Sequence, residues 1–401
     1  MSTNDLFSGI AVVIDDEIKK NEANINQIIS QIEKHKMPCL KYGEIPEDDV
    51  IKNWKGISFI LLDWNLNDLS DADTMAGVIN PKYADTNITA NTNFLKNLKN
   101  ICFVPVFIFT NEVIDEVSSK LQEEGLYKEN KPNYIFIKKK SELTGKNSLF
   151  KAIQDWIKHT PPVYVLKVWE SEYEKAKTDL FHNFYEIDPN WPKIIWKSFS
   201  DDGIDINVSS GLGEMISRNL HTRMTPFKFD SAMIKRRAKN KNNSIEETRR
   251  VFTGERFLDK DKIHENTIVA GDIFKIKGDI FLNIRPDCDC IPRNGTTCDI
   301  LQKVELYLIK GAKLSKKQEK DIYIKKYGYF KEGDNESIIF SMFEGKTFSF
   351  QFKNIRIEKW QAISDKRIGR LLPPYITKIQ QKYSLYIQRQ GMPRIPNIFK
   401  K

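Results

Sequence analysis

Asp15 and Asp16 close the apolar run GIAVVI, Asp63 closes ISFILL, Thr110 closes CFVPVFIFT, and Lys138-Lys139-Lys140 close NYIFI. An apolar run that stops abruptly at charge reads as a strand buried on both faces. In an open parallel sheet the functional crevice lies at the carboxyl ends of the strands. There the three carboxylates would converge and repel one another unless a hard cation sat between them. Oxygen donors, few in number and leaving room for water, suit Mg²⁺. A hydroxyl and an ammonium beside that cation are what a phosphoryl group on one carboxylate needs for its own oxygens. The constellation fits phosphoryl transfer to a carboxylate nucleophile. Each motif alone also has an ordinary reading: Asp15-Asp16 as a helix cap, Asp63 as a loop aspartate, Thr110 as a cap before Glu112 and the lysines as a solvated strand end. Their ordered conjunction carries the chemistry.

The elements that must position these groups follow from periodicity. Gly9–Ile14, Pro38–Tyr42, Ile57–Leu62, Cys102–Thr110 and Asn133–Ile137 read as strands. Between them, Ile25, Ile28, Ile29 and Ile32 recur at helical spacing. Further helices are expected over Thr92–Leu98, Val113–Leu126 and Ser148–His159. Five strands alternating with helices predict an α/β fold with a parallel sheet covered on both faces.

The order of these motifs (VVIDDE, ILLDWNL, VFIFTNE and YIFIKKKSEL) resembles the receiver domain of two-component response regulators over residues 9–159. The resemblance implies a flavodoxin-like sheet of five strands. It implies Asp63 as phosphoacceptor, with Asp15, Asp16 and the backbone carbonyl of Asn65 joining it around Mg²⁺. Thr110 would bond one phosphoryl oxygen. A lysine directly after the fifth strand, Lys138 with Lys139 as fallback, would pair with another. Tyr134 or Phe136 would be the aromatic that changes rotamer, a buried core ring being the plainer reading. Two departures stand out. Between Asp63 and Thr110 lie 46 residues, more than receivers usually have, and residues 70–93 read as an extended Asn/Thr-rich loop beside the site, a lid or partner surface. The usual lysine-proline step, generally cis in receivers, is absent, so the turn is either remodelled or strained.

The chain has 401 residues, room for two or three domains. Its net charge of +9 hides an asymmetry: residues 1–160 hold 19 Lys, no Arg and 23 acidic residues, whereas the remainder is basic and holds every arginine. Opposite signs suggest modules with different partners, the basic one facing a polyanion or simply presenting an ordinary basic surface. The absence of a long apolar run, of a secretory leader pattern and of a disulfide framework among five cysteines predicts a cytoplasmic, reduced protein with no membrane insertion.

Beyond Pro161-Pro162, an amphipathic helix is expected with Val165, Trp169, Tyr173, Ala176, Leu180 and Phe184 on its stripe, packing as core or serving coupling or dimerisation. Leu212–Thr222 also reads as helical. Lys228–Arg250 is the most basic stretch, expected as an exposed loop or short helix able to meet nucleic-acid phosphates, although no recognised nucleic-acid motif accompanies it. From Thr267 to Ile357 short runs between turn residues predict a small antiparallel barrel or sandwich. Within it Cys288, Cys290 and Cys298, with Asp287, Asp289 and His264 nearby, could bind zinc, but they lack the usual ligand spacing and read by default as structural, with a hairpin turn at Asn294-Gly295. A last helix follows Pro373-Pro374, carries Ile376, Ile379, Tyr383 and Ile387, and ends at Gly391. It is flanked by Arg367, Arg370, Arg389 and Arg394, which could meet phosphate or carboxylates.

The expected organisation is a receiver over 1–160, a mainly helical connector over 161–265 and a β-rich α+β output module over 266–401. The resemblance implies a response regulator phosphorylated by a sensor histidine kinase and acting through its basic half on nucleic acid or protein, with a second copy of the chain as a further candidate partner. No enzymatic activity beyond self-phosphorylation is indicated. Two other readings compete: a receiver-like interaction scaffold without efficient phosphorylation, and a receiver-gated nucleic-acid-binding or enzymatic effector.

Overall fold

The computed structural model describes residues 6–66, 81–200, 208–235, 244–290 and 303–390. The chain forms two compact units, Met1–Glu186 with Arg218–Lys241, and Ile187–Ser217 with Asn242–Lys401.

The first unit is built on strands β1 (Ile10–Ile14), β2 (Cys39–Tyr42), β3 (Ile57–Asp63), β4 (Val106–Thr110) and β5 (Ile135–Lys139). They lie in the order β2-β1-β3-β4-β5, every pair parallel. Helices α1 (Ala23–Lys34), α2 (Pro81–Ile101), α3 (Ile114–Glu123) and α4 (Ser148–Ile157) connect or follow them. Because side chains alternate across a strand, Ala11, Val13, Phe59, Leu61, Phe107 and Phe109 fill one core. Val12, Ile14, Ile60, Leu62, Val106 and Ile108 fill the other. Ile25, Ile28, Ile29 and Ile32 of α1 are all buried, as their spacing predicts. This is a receiver-like fold.

Three local expectations change. Helix α2 begins at Pro81, so much of the stretch expected as a loop is helical; residues 70–80 of that stretch lie outside the described residues. The strand before Thr110 begins at Val106, not Cys102. Pro161-Pro162 opens helix α5 (Pro161–Ile187), where proline's fixed φ and missing N–H suit the first turn. The first turns of α5 bury Val163, Tyr164, Lys167 and Val168, with Ala176 and Leu180 further on, whereas Val165 and Trp169 of the expected stripe are exposed. Helices also span Trp191–Ser200 and Val208–Met224. No helix among the described residues is long and apolar enough to cross a membrane.

The second unit carries α6 (Ile245–Arg256) and strands β6 (Phe257–Asp259), β7 (Asp272–Ile276), β8 (Asp279–Asn283) and β9 (Glu305–Lys313). Then come α7 (Lys316–Ile322), a two-stranded ribbon of β10 (Tyr323–Ile324) and β11 (Tyr329–Phe330), β12 (Glu336–Ile339), β13 (Phe348–Lys359), β14 (Arg367–Leu371) and α8 (Tyr375–Ile387). Seven strands form one antiparallel sheet in the order β12-β13-β9-β8-β7-β14-β6. It is an open half-barrel with β12 and β6 at its edges. A register shift between Gln351 and Ile355 divides the long β13 where it pairs with β9. Gly369 permits the close approach of β14 and β6, because a Cβ there would lie 2.5 Å from the Leu258 carbonyl oxygen.

The arginines of β14 meet a carboxylate, one of the two partners expected for them. Arg370 Nε lies 2.7 Å and Arg367 Nη1 3.3 Å from the fully buried Asp272 carboxylate. Arg367 also donates to the carbonyls of His264, Glu265 and Thr267. In α8, Ile376 and Ile379 are buried but Ile387 is exposed. Gly391 and Arg394 lie outside the described residues.

A candidate phosphoacceptor site

Asp15 follows β1, Asp63 ends β3 and Thr110 ends the neighbouring β4, so the parallel sheet brings them to one rim. Asp15 and Asp63 are buried. Their backbone neighbours hold them in place: Asp15 Oδ1 accepts from the Glu17 N–H at 2.9 Å, and Asp63 Oδ1 from the Asn65 N–H at 3.3 Å. Asn91, on α2 and fully buried, donates to the carbonyls of Trp64 at 2.6 Å and Asp63 at 3.4 Å, tying the end of β3 to that helix. The Thr110 hydroxyl accepts from the Glu112 N–H at 2.9 Å. That bond leaves the hydroxyl hydrogen available to donate.

The lysine at the site is Lys140, not Lys138. Its Nζ lies 2.9 Å from Asp15 Oδ2, 2.9 Å from Asp63 Oδ2 and 3.0 Å from Glu17 Oε1. Lys138 pairs instead with Glu142 at 2.8 Å, and Lys139 is exposed. Lys138 is level with Phe109, which is level with Asp63, so the Phe109 side chain stands between the two on their shared face. Lys140 lies beyond the strand end, in a 3₁₀ turn over Lys140–Glu142. From there its side chain reaches back over β4. Gln31 of α1 steadies the segment that follows, donating to the Leu143 carbonyl at 2.9 Å and accepting from the Leu149 N–H at 3.0 Å. The peptides after the three lysines are trans, so the turn is remodelled.

Sequence reasoning assigned no role to Glu17, although it sits in the quoted VVIDDE. One of its oxygens meets Lys140, and the other is buried without a hydrogen-bond partner. Asp16 is less buried and pairs with Lys20 at 3.1 Å. Burial pushes the Asp63 carboxyl up to about 7 against the pull of Lys140, with the Asp15 charge adding to the rise. Burial likewise raises Asp15 against Lys140. For Lys140, burial favours the neutral amine, but the facing Asp63 and Asp15 charges outweigh it and hold the ammonium above the usual lysine range.

The donor set fits a small hard cation. Ligand oxygens of Asp15, Asp16 and Asp63 all lie within 4.8 Å of one another. Opposed Mg²⁺ ligands stand about 4.2 Å apart, twice the usual bond length, so a modest closure would bring the carboxylates into range. Three of the acids share a single ammonium, which leaves the pocket electronegative.

The other candidates fare differently. Tyr134 packs on the exposed Phe103, and Phe136 on Phe107 and Trp156; both rings are half-buried at the margin of the core rather than inside it. Cys290 is buried, its thiol pushed up to about 11 by burial, and Cys288 is exposed. Cys298 and the Asn294-Gly295 turn lie outside the described residues. Among the described residues the Asp15, Asp16 and Asp63 group stands as the one cluster of metal-ligating side chains. Of the basic stretch, Ser231–Lys235 and Ile245–Arg256 are helical, and residues 236–243 lie outside the described residues.

No family model matches this sequence, and no curated protein matches it.

Proposed function

We propose that the first unit is a phosphoacceptor receiver, and that the protein is a response regulator in which the phosphorylation of Asp63 governs the second unit. The observation that carries this reading is the meeting of Asp15, Asp16, Asp63 and Lys140 at one end of a five-stranded parallel sheet. The donor would be a phosphohistidine of a sensor kinase. An Asp63 carboxylate oxygen attacks phosphorus, the P–N bond breaks as the P–O bond forms, and the departing imidazole takes its proton from solvent. Lys140 pairs with one phosphoryl oxygen, and the Thr110 hydroxyl donates to another. Asp15, Asp16, Asp63 and the carbonyl of Asn65 would hold Mg²⁺, which when bound neutralises charge on the phosphoryl oxygens.

A second reading, a receiver-shaped scaffold that is phosphorylated poorly, is favoured by Lys140 itself. It is already bound to three carboxylates, and its bond to Glu17 must loosen as a phosphoryl group arrives. Intact mass after incubation with a small-molecule phosphodonor separates the two. The phosphoacceptor reading expects a Mg²⁺-dependent gain of one phosphoryl group that Asp63→Ala abolishes. No gain, or a gain that survives the substitution, leaves the scaffold as the account.

A further inference from the structure

The second unit contains a cavity of about 1300 Å³ between α6, α7, the β10–β11 ribbon, the segment around Phe340 and α8. Its lining combines two features. Eight lysines and arginines face it against three glutamates, and six aromatic rings stand among them.

The acids are largely neutralised within the wall. Glu319 pairs with Arg249, and Glu332 bonds Lys378 and Lys382, each at 2.7 Å. Arg256 is also committed to the structure: it donates to the Phe340 carbonyl at 2.7 Å, and its guanidinium stacks on Phe252 and Tyr375 at 4.6 and 4.8 Å. The Lys313, Lys316 and Lys320 side chains are exposed and have no hydrogen-bond or ion-pair partner among the described residues, the Glu344 charge lying near Lys313. Lys316 and Lys320 sit four apart on α7, a like-charge pair that is mildly unfavourable without an anion.

Beside them the ribbon presents its rings. Tyr323 and Tyr329 line the cavity with 48% and 53% of their surface exposed. Tyr327 backs Tyr329 in a stacked arrangement at 5.6 Å. Half-exposed aromatic faces next to unpaired ammonium groups are the two parts of a single-strand or nucleotide site, where bases stack and phosphates pair with cations.

We propose that this cavity binds nucleotide units, with a base stacked on the Tyr323 and Tyr329 side and phosphates held by Lys313, Lys316 and Lys320. Its volume exceeds the roughly 300–1,000 Å³ of a pocket for one drug-sized ligand, so more than one nucleotide unit fits. The ligand is then a short single-stranded oligonucleotide or a free di- or polyphosphorylated nucleotide. The inference stands apart from the phosphoacceptor reading, since every group it uses belongs to the second unit.

Fluorescence anisotropy of the full chain with a labelled single-stranded oligonucleotide, sized within the roughly 4–16 nucleotides typical of such sites, tests it. Binding should weaken with added salt. Tyr329→Ala should weaken it by roughly 5- to 160-fold, the range expected for one lost stacking contact, while Tyr329→Phe retains it. The double substitution Lys316→Glu with Lys320→Glu should abolish it, with an unchanged melting temperature showing that the unit remains folded. Displacement by unlabelled ATP or a dinucleotide would assign the site to free nucleotides; displacement by oligonucleotides alone would assign it to a strand. The proposal is overturned if neither probe binds at low salt, if binding is indifferent to these substitutions, or if a poly-glutamate peptide displaces the oligonucleotide equally well.

Discussion

Lys140 is the residue on which the candidate site turns. Its side chain is almost wholly buried and, among the described residues, is the one ammonium within bonding distance of Asp15, Glu17 and Asp63. Removing one partner of a buried ion cluster leaves the others uncompensated, at a cost of about 3–5 kcal/mol. Lys140→Ala is therefore expected to destabilise the protein by that amount in urea titration, and millimolar Mg²⁺ should restore part of the loss. Lys138→Ala, which removes only a partly exposed pair with Glu142, should change stability by less than about 1 kcal/mol. Lys167 behaves differently. It is buried beside the Phe7 ring with Glu170 as its ion-pair partner, and burial holds its ammonium below the usual lysine range. Lys167→Met keeps the volume and removes the buried charge, so it should stabilise the fold by about 1 kcal/mol at neutral pH. With a folded-state pKa below the unfolded one, the native state sheds its proton first. Wild-type stability therefore rises with pH through that window, and the advantage of methionine should narrow as pH approaches 10.5. Paired melts at neutral and alkaline pH check this.

Elements position the site through side chains that touch neither phosphate nor metal in the proposed scheme. Asn91 ties α2 to the end of β3, and Gln31 ties α1 to the segment after the Lys140 turn. Gln31→Ala leaves the buried Leu149 N–H without its bond, a loss of about 1–3 kcal/mol, whereas the Leu143 carbonyl keeps the Ser148 hydroxyl as a donor. It should lower stability in denaturant titration and slow phosphorylation more than the global loss explains, because the turn carrying Lys140 is no longer held. Legibility differed among the elements. The sheet was readable because strands buried on both faces are nearly continuous apolar runs, and the α1 isoleucines lie on one face. Helix α5 was readable as a helix, with Ala176 and Leu180 of its expected stripe buried, but not in the face its first turns bury: Val163, Tyr164 and Val168 form one apolar arc, and Val165, Trp169 and Tyr173 form another. Periodicity cannot choose between two arcs on one helix; the core around Phe7 and Phe150 selects the first.

The molecule as a whole holds two units with separate hydrophobic cores. Units with their own cores need not melt together, so calorimetry should resolve two transitions. In the proposed scheme Mg²⁺ would bind the native form of the first unit and should raise only that transition. Asp63→Ala should blunt the shift. An oligonucleotide should raise the other transition, and Tyr329→Ala should cancel that shift. A single transition moved equally by both ligands would show that the units unfold as one.

The sequence by itself determined the five strands, their alternation with helices, the carboxylates at their ends and the antiparallel character of the second unit. These are properties of local periodicity and of where apolar runs stop. Only the tertiary structure decided which lysine faces Asp63, because that depends on how the chain bends beyond β5 and on the distance across β4. It also decided that Arg367 and Arg370 meet Asp272, almost a hundred residues away. The cavity was illegible for the same reason: its cations and tyrosines come from α6, α7, the β10–β11 ribbon and α8, segments that become neighbours only when the half-barrel folds.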